Sequence, residues 1–124
     1  MNLYFYRAKI RSVYDGDTVT ADIDLGMNLW LHGEKLRLAR IDTPELRGQE
    51  RSAGLVARDY LRGLILDKEV MIETTKDRRG KYGRYLADIW LKDEQDQLIN
   101  VNDLLIANGY AQIYGEKSQT TEPA

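Results

Sequence analysis

Three short segments of this 124-residue chain gather carboxylates and arginines beside a glycine or a proline. The first is Asp15-Gly-Asp17-Thr18. On an extended segment, two carboxylates two residues apart point the same way, which is a usable start for a hard-metal site. It is not an EF-hand, because the glycine is misplaced and no Glu closes the loop. Alone, Asp-Gly is first of all a turn signal. The second is Arg37-Leu-Ala-Arg-Ile-Asp-Thr-Pro-Glu45, which sets polar chemistry at the end of an apolar strand. Pro44 ends the strand and restricts Thr43 to extended geometry. Asp42, the Thr43 carbonyl and Glu45 are thus presented around a rigid corner. Alone, this segment also reads as strand, turn and helix start, with Asp42 or Thr43 as a cap. The third is Lys81-Tyr-Gly-Arg84, a tight turn before a strand. Its arginine carries a planar fork that suits phosphate.

In combination the segments say more than any one does. They supply two to three carboxylates, two arginines and a candidate base. Phosphodiester hydrolysis needs that set. A metal polarises a phosphoryl oxygen, a carboxylate accepts a proton from water, and arginines hold the charge of the five-coordinate transition state. Composition narrows the metal. The chain has no cysteine, which excludes disulfides, thiolate catalysis and zinc–thiolate sites. Its single histidine, His32, cannot make a two-histidine site and reads as a loop or turn residue. Any metal is therefore a hard ion held by oxygens.

Net charge is −2, so bulk charge does not predict nucleic-acid binding. Its distribution is uneven. Residues 37–84 carry 12 Lys and Arg against 8 Asp and Glu, and the remainder is acidic. A basic middle can attract phosphate, or can be the ordinary charged surface of a helix and a loop. No apolar run approaches the roughly 18–20 residues that a membrane helix needs. The segment Met1 to Arg11 reads as a strand with interleaved charges rather than a secretory leader.

The elements that must position these residues are legible from their periods. Residues 3–13 read as a strand. Residues 17–25 alternate, with Val19, Ala21, Ile23 and Leu25 on one face. Gly26 and Asn28 mark a turn. A strand begins at 29–32, is interrupted at Gly33, and gives way to an apolar strand at 35–41. Residues 49–64 show helical spacing through Ala53, Val56, Ala57, Tyr60, Leu61 and Leu64. Strands are expected at 69–75 and 84–92, with a basic loop between them and a turn near Asp93 to Asp96. A last helix has Asn100 as N-cap, Val101, Leu104, Leu105 and Asn108 on one face, and Gly109 just past its end. Three successive strands suggest a meander, and the helices are too few for a doubly wound sheet. The expected fold is β-rich α+β: a five-stranded OB-fold barrel carrying two helices. Residues 1–114 are expected to form a single domain, and residues 115–124 a poorly ordered tail.

The sequence resembles the staphylococcal nuclease, or thermonuclease, family. The matching segments are Asp15-Gly-Asp-Thr-Val19, Arg37 through Asp42-Thr-Pro-Glu45, and Lys81-Tyr-Gly-Arg84-Tyr-Leu-Ala87, with a weaker match from Asn102 to Ala111. The resemblance implies an oligonucleotide-binding barrel that cleaves DNA and RNA with little sequence preference, requires Ca2+ and leaves 3′-phosphate ends. It implies Asp17 and Asp42 as calcium carboxylates, and the Thr43 carbonyl as a backbone ligand. Asp15 would support that set from behind. Glu45 matches the general base, Arg37 and Arg84 match the arginines that grip phosphate, and Tyr82 matches an aromatic beside the nucleotide. Tyr110 and Tyr114 are candidates for the family's pocket tyrosines, and Tyr110 reads equally as a core residue, the reading preferred for it. The expected partners are DNA and RNA, with no membrane, and the chain is expected to act as a monomer. The loop from Leu46 to Ser52 is shorter than in many relatives, and a third helix after Tyr114 is not expected.

One physical demand follows. Arg37 and Asp42 are five residues apart, so strict alternation puts them on opposite faces. Both face one pocket only if the strand bends or bulges between Ala39 and Ile41. The competing reading is a barrel of the same kind that grips nucleic acid without cleaving it.

Overall fold

The computed structural model describes residues 4–76 and 85–114. Residues 77–84, which hold the expected basic loop beyond Lys76 and the candidates Tyr82 and Arg84, lie outside the described residues, as does the tail from residue 115.

Three strands form the expected meander: β1 (Phe5–Asp15), β2 (Thr18–Gly26) and β3 (Leu29–Leu38). All pair antiparallel in sequence order. A two-residue strand β4 (Ile41–Asp42) and a single 3-10 turn (Gly48–Glu50) lead into helix α1 (Arg51–Ile65). Then come β5 (Glu69–Lys76), β6 (Tyr85–Lys92) and the short β7 (Leu98–Asn100). Helix α2 (Val101–Ala107) and the two-residue β8 (Gln112–Ile113) complete the fold. The sheet order is β3-β2-β1-β5-β6-β7, and a parallel pairing of β3 with β6 closes the first five strands into a barrel. This is the expected five-stranded OB-fold with two helices.

Alternation fills the barrel. Ala8, Ile10, Val19, Ala21, Leu36, Leu38, Ile72, Ala87 and Ile89 are fully or almost fully buried. Helix α1 closes one side with Ala57, Leu61 and Ile65, and α2 with Val101 and Leu105.

Four local expectations are corrected. Leu25 continues the alternation of β2 but is exposed, because it lies near the hairpin end, beyond the packed core. Gly33 does not interrupt β3. The strand runs through it as a bulge, with Gly33 at φ 70°, and its N–H donates to the Asp22 carboxylate at 2.9 Å. His32 sits exposed in that strand, 3.4 Å from Asp22, and not in a loop. On α2 the buried face is Val101, Asn102 and Leu105, while Asn108 is exposed. Asn100 is the N-cap as expected, accepting from the Asp103 N–H. Tyr110 packs against the core and stacks on Tyr60, which agrees with its reading as a core residue.

Candidate active site

The apolar strand expected at 35–41 breaks where the site requires it. Strand β3 ends at Leu38, Arg40 takes φ 69°, and the chain resumes as β4. Such a kink strands polar backbone groups, and the Ala39 N–H and the carbonyls of Leu38, Ala39, Arg40 and Ile41 all find partners. The Ala39 N–H donates to the Ala87 carbonyl at 2.8 Å. The fully buried Asn102 amide donates to the carbonyls of Ala39 and Ala87, at 2.9 and 3.0 Å, and its oxygen accepts from the Ile89 N–H. Arg40 turns outward and binds Asp88 and Asp103. The Tyr114 N–H donates to the Arg40 carbonyl, and β8 pairs with β4. Helix α2 and the segment after it therefore hold the break in place.

The break brings Arg37 and Asp42 to the same pocket. Nη1 of Arg37 donates to the Leu38 and Ile41 carbonyls that the kink exposes, at 3.1 and 3.0 Å. Nη2 stands between two carboxylates, 3.5 Å from Asp17 Oδ2 and 3.3 Å from Asp42 Oδ1. The guanidinium also lies over the Tyr114 ring, 5.1 Å from its centroid. The Arg37 side chain is only 13 % exposed, so this cation is packed as part of the fold.

Asp17 is buried at the β1–β2 turn and links the two halves of the pocket. Its Oδ2 accepts from the Thr43 N–H, and its backbone carbonyl accepts from Leu38. The expectation of an extended Asp15-Gly-Asp17 segment is corrected: Gly16 and Asp17 form the hairpin turn. Asp15 Oδ1 accepts from the Asp17 N–H at 3.0 Å, so it braces the turn. Gly16 is there for clearance, since a Cβ at this position would stand 2.8 Å from Thr43 Cγ2. Burial and the neighbouring Asp17 charge push the Asp15 carboxyl up to about 6. Asp42 is also raised, by burial first and then by Asp17, against the opposing pull of Arg37.

Glu45 lines the groove with Asp17, Arg37 and Asp42. Its side chain is 65 % exposed and meets Arg47 at 3.2 Å. An exposed pair of this kind is worth about 0–1 kcal/mol and does not immobilise the carboxylate. Its backbone is held more firmly. The Glu45 N–H donates to Glu50, and Gly54 of α1 lies against its carbonyl, where a Cβ would come within 2.4 Å. A glycine inside a helix costs about 1 kcal/mol relative to alanine, which is the signal that could have singled out Gly54. Asn102 had a comparable signal as a polar residue beside apolar ones on a short helix.

The donor set suits a hard cation. Asp17, Asp42 and the Thr43 carbonyl offer only oxygen, and the two carboxylates already share one cationic group. Among the described residues, no three His, Cys, Asp or Glu side chains stand together as a complete metal cage. A cation here would take its remaining ligands from water and substrate phosphate.

Comparison with known proteins matches the chain to a family. The family model described as "Staphylococcal nuclease homologue" matches residues 35–124. The chain belongs to the staphylococcal nuclease family. Family relatives include a thermonuclease of Staphylococcus intermedius, 33% identical over 68% of this chain and 49% of that protein. A micrococcal nuclease of Shigella flexneri is 31% identical over 94% of this chain and 63% of its own length. An uncharacterized protein of Methanocaldococcus jannaschii is 30% identical over 88% of this chain and 59% of its own. The chain thus spans about half to two thirds of the length of these relatives.

Proposed function

We propose that this protein is a calcium-dependent endonuclease that hydrolyses phosphodiester bonds of DNA and RNA with little sequence preference, leaving 3′-phosphate ends. One observation carries the reading. A nearly buried arginine stands between two carboxylates in a groove that a third, exposed carboxylate lines. Membership of a family whose named relatives are nucleases supports it.

Asp17, Asp42 and the Thr43 carbonyl would hold Ca2+, which when bound polarises a phosphoryl oxygen and orients water. Asp15 braces Asp17 from behind. Arg37 reaches toward phosphate with the nitrogen that now bridges the carboxylates, and Arg84 is assigned the role of the second phosphate-gripping arginine. Neither arginine is a general acid, because guanidinium hardly deprotonates in proteins. Glu45 accepts the water proton; its exposure leaves it room to move over substrate. Tyr82 is assigned to the nucleotide. Residues 1–114 form the catalytic unit, acting as a monomer. No helix among the described residues is long and apolar enough to cross a membrane.

The test uses plasmid DNA, single-stranded DNA and RNA, each with calcium or a chelator. Cleavage is expected only with calcium, and Glu45→Gln and Arg37→Ala are expected to abolish most of it. Cleavage that survives chelation, or equal cleavage by both variants, overturns the site. Tight binding without cleavage in calcium identifies a non-catalytic nucleic-acid-binding barrel instead.

A further inference from the structure

The groove continues past the residues that chemistry requires. On the outer face of the meander, Thr18 pairs with Arg37, and one step along the strands Thr20 pairs with both Ser12 and Lys35. Lys35 and Arg37 are two residues apart on β3. They share a face and stand about 7 Å apart along the strand. The row Ser12–Thr20–Lys35 therefore extends the catalytic row and lines the same groove. The facing wall is α1, whose Arg58 and Arg62 also line it. They are one helical turn apart, about 6 Å along the axis.

The groove also holds Asp15, Asp17, Asp42 and Glu45, yet of Lys35, Arg58 and Arg62 only Arg58 meets a carboxylate at ion-pair distance among the described residues. Like charges one turn apart repel on a helix. Arg58 has Asp59 as its partner at 3.0 Å. Arg62 donates to the Val13 carbonyl at 3.0 Å and has no carboxylate within ion-pair distance among the described residues. Lys35 has none either. At the rim of the same groove Tyr14 leaves 68% of its surface exposed. Cations along a groove with an open aromatic ring are the elements of a single-strand platform: charges for the backbone and a ring for a base.

We propose that this stretch of the groove is a subsite for the continuation of a single polynucleotide strand beyond the scissile phosphate, with Lys35, Arg58 and Arg62 taking phosphates and Tyr14 stacking on a base. The proposal rests on the nuclease reading and assigns to these residues the added affinity for a strand of several nucleotides over a dinucleotide. The hydroxyls of Ser12 and Thr20 add neutral donors between the two basic walls. Because the ring accepts any base, the subsite adds affinity without sequence preference.

The experiment measures binding and cleavage separately. Binding of a labelled single strand of about ten nucleotides is followed by fluorescence anisotropy in chelator, across a salt series. Lys35→Ala with Arg58→Ala is expected to weaken binding on the order of tenfold. The slope of log affinity against log salt should become shallower by about 0.7 for each charge removed. Arg62→Lys, which keeps the charge, should bind close to wild type. Tyr14→Ala should weaken binding on the order of tenfold, and Tyr14→Phe should restore it. Lys92→Ala removes one positive charge outside the groove and should leave the slope nearly unchanged. In calcium, the ratio of kcat/KM on the long strand to that on a dinucleotide should fall in the double variant. Unaltered binding by the double variant, or an equal loss in Lys92→Ala, overturns the subsite. If the variants bind weakly but wild type does not cleave, the subsite stands and the nuclease reading falls. If wild type cleaves and the variants bind normally, only the subsite falls.

Discussion

At the scale of single residues, Arg37 combines two duties that are usually separate. One nitrogen completes the backbone of a kinked strand, and the other stands between two carboxylates. A lysine offers one compact ammonium and cannot reach both sets of partners. Arg37→Lys should therefore lower kcat/KM on DNA by about a hundredfold, the usual scale for losing a preorganised donor to a transition-state oxyanion. It should also lower unfolding stability by about 1–3 kcal/mol, because buried carbonyls lose their donor. Initial rates in calcium and urea midpoints measure the two effects. A lysine variant with activity within twofold of wild type would remove Arg37 from the site. The type of each site residue was readable from the sequence. The bridging position of Arg37 was not, because it depends on where Asp17 arrives from another hairpin.

At the scale of elements, the site depends on two close approaches that only glycine permits. In open helix, Gly54→Ala would stabilise by about 1 kcal/mol. Here the new methyl would stand 2.4 Å from the Glu45 carbonyl, so α1 or the Pro44–Glu45 corner must shift. Strain of about 1–3 kcal/mol outweighs the gain in propensity, and the net effect should be destabilising. Since the shift displaces Glu45, kcat should fall while strand binding measured in chelator changes little. A more stable Gly54→Ala variant with full kcat would show that the corner is not fixed by α1. The bulge in β3 carries a pH signature. The Gly33 N–H, then His32 and Arg11, hold the Asp22 carboxyl below its ordinary range, against a smaller opposing effect of burial. The folded state thus binds the Asp22 proton less readily than the unfolded chain. The stability that Asp22 contributes is present above the unfolded value near 3.8 and is lost as pH falls through the lower folded value. Asp22→Asn keeps an acceptor for Gly33 but no charge. Its urea midpoint should be lower at neutral pH and should fall less steeply than wild type below about pH 4. Parallel acid limbs for the two proteins would refute that role.

At the scale of the whole molecule, the five barrel strands and the two helices were legible because their hydrophobic periods change cleanly from two to 3.6, whereas β4, β7 and β8, two or three residues each, are too short to show a period. The strand break at 39–41 was legible as a geometric demand, since Arg37 and Asp42 cannot otherwise meet. What holds the break was not. Asn102, Arg40 and β8 act across separations of up to 74 residues in the chain, as Tyr114 does on Arg40, and no local pattern encodes such contacts. The same long-range closure makes the carboxylate pair a thermodynamic reporter. Asp17 comes from the β1–β2 turn and Asp42 from β4, so they meet only in the folded barrel. Calcium held by both would bind the folded state and have little affinity for the unfolded chain, adding stability by mass action. At a calcium concentration a hundred times its Kd, the gain should be about 2.7 kcal/mol. The melting temperature should rise with calcium and return when chelator is added. Asp42→Asn withdraws one charged ligand and relieves the repulsion with Asp17 that raises the Asp42 carboxyl. It should therefore be at least as stable as wild type in chelator, and should lose most of the calcium response. A wild-type melting temperature indifferent to calcium, or an undiminished response in Asp42→Asn, would detach the ion from these two carboxylates whatever the enzyme cleaves.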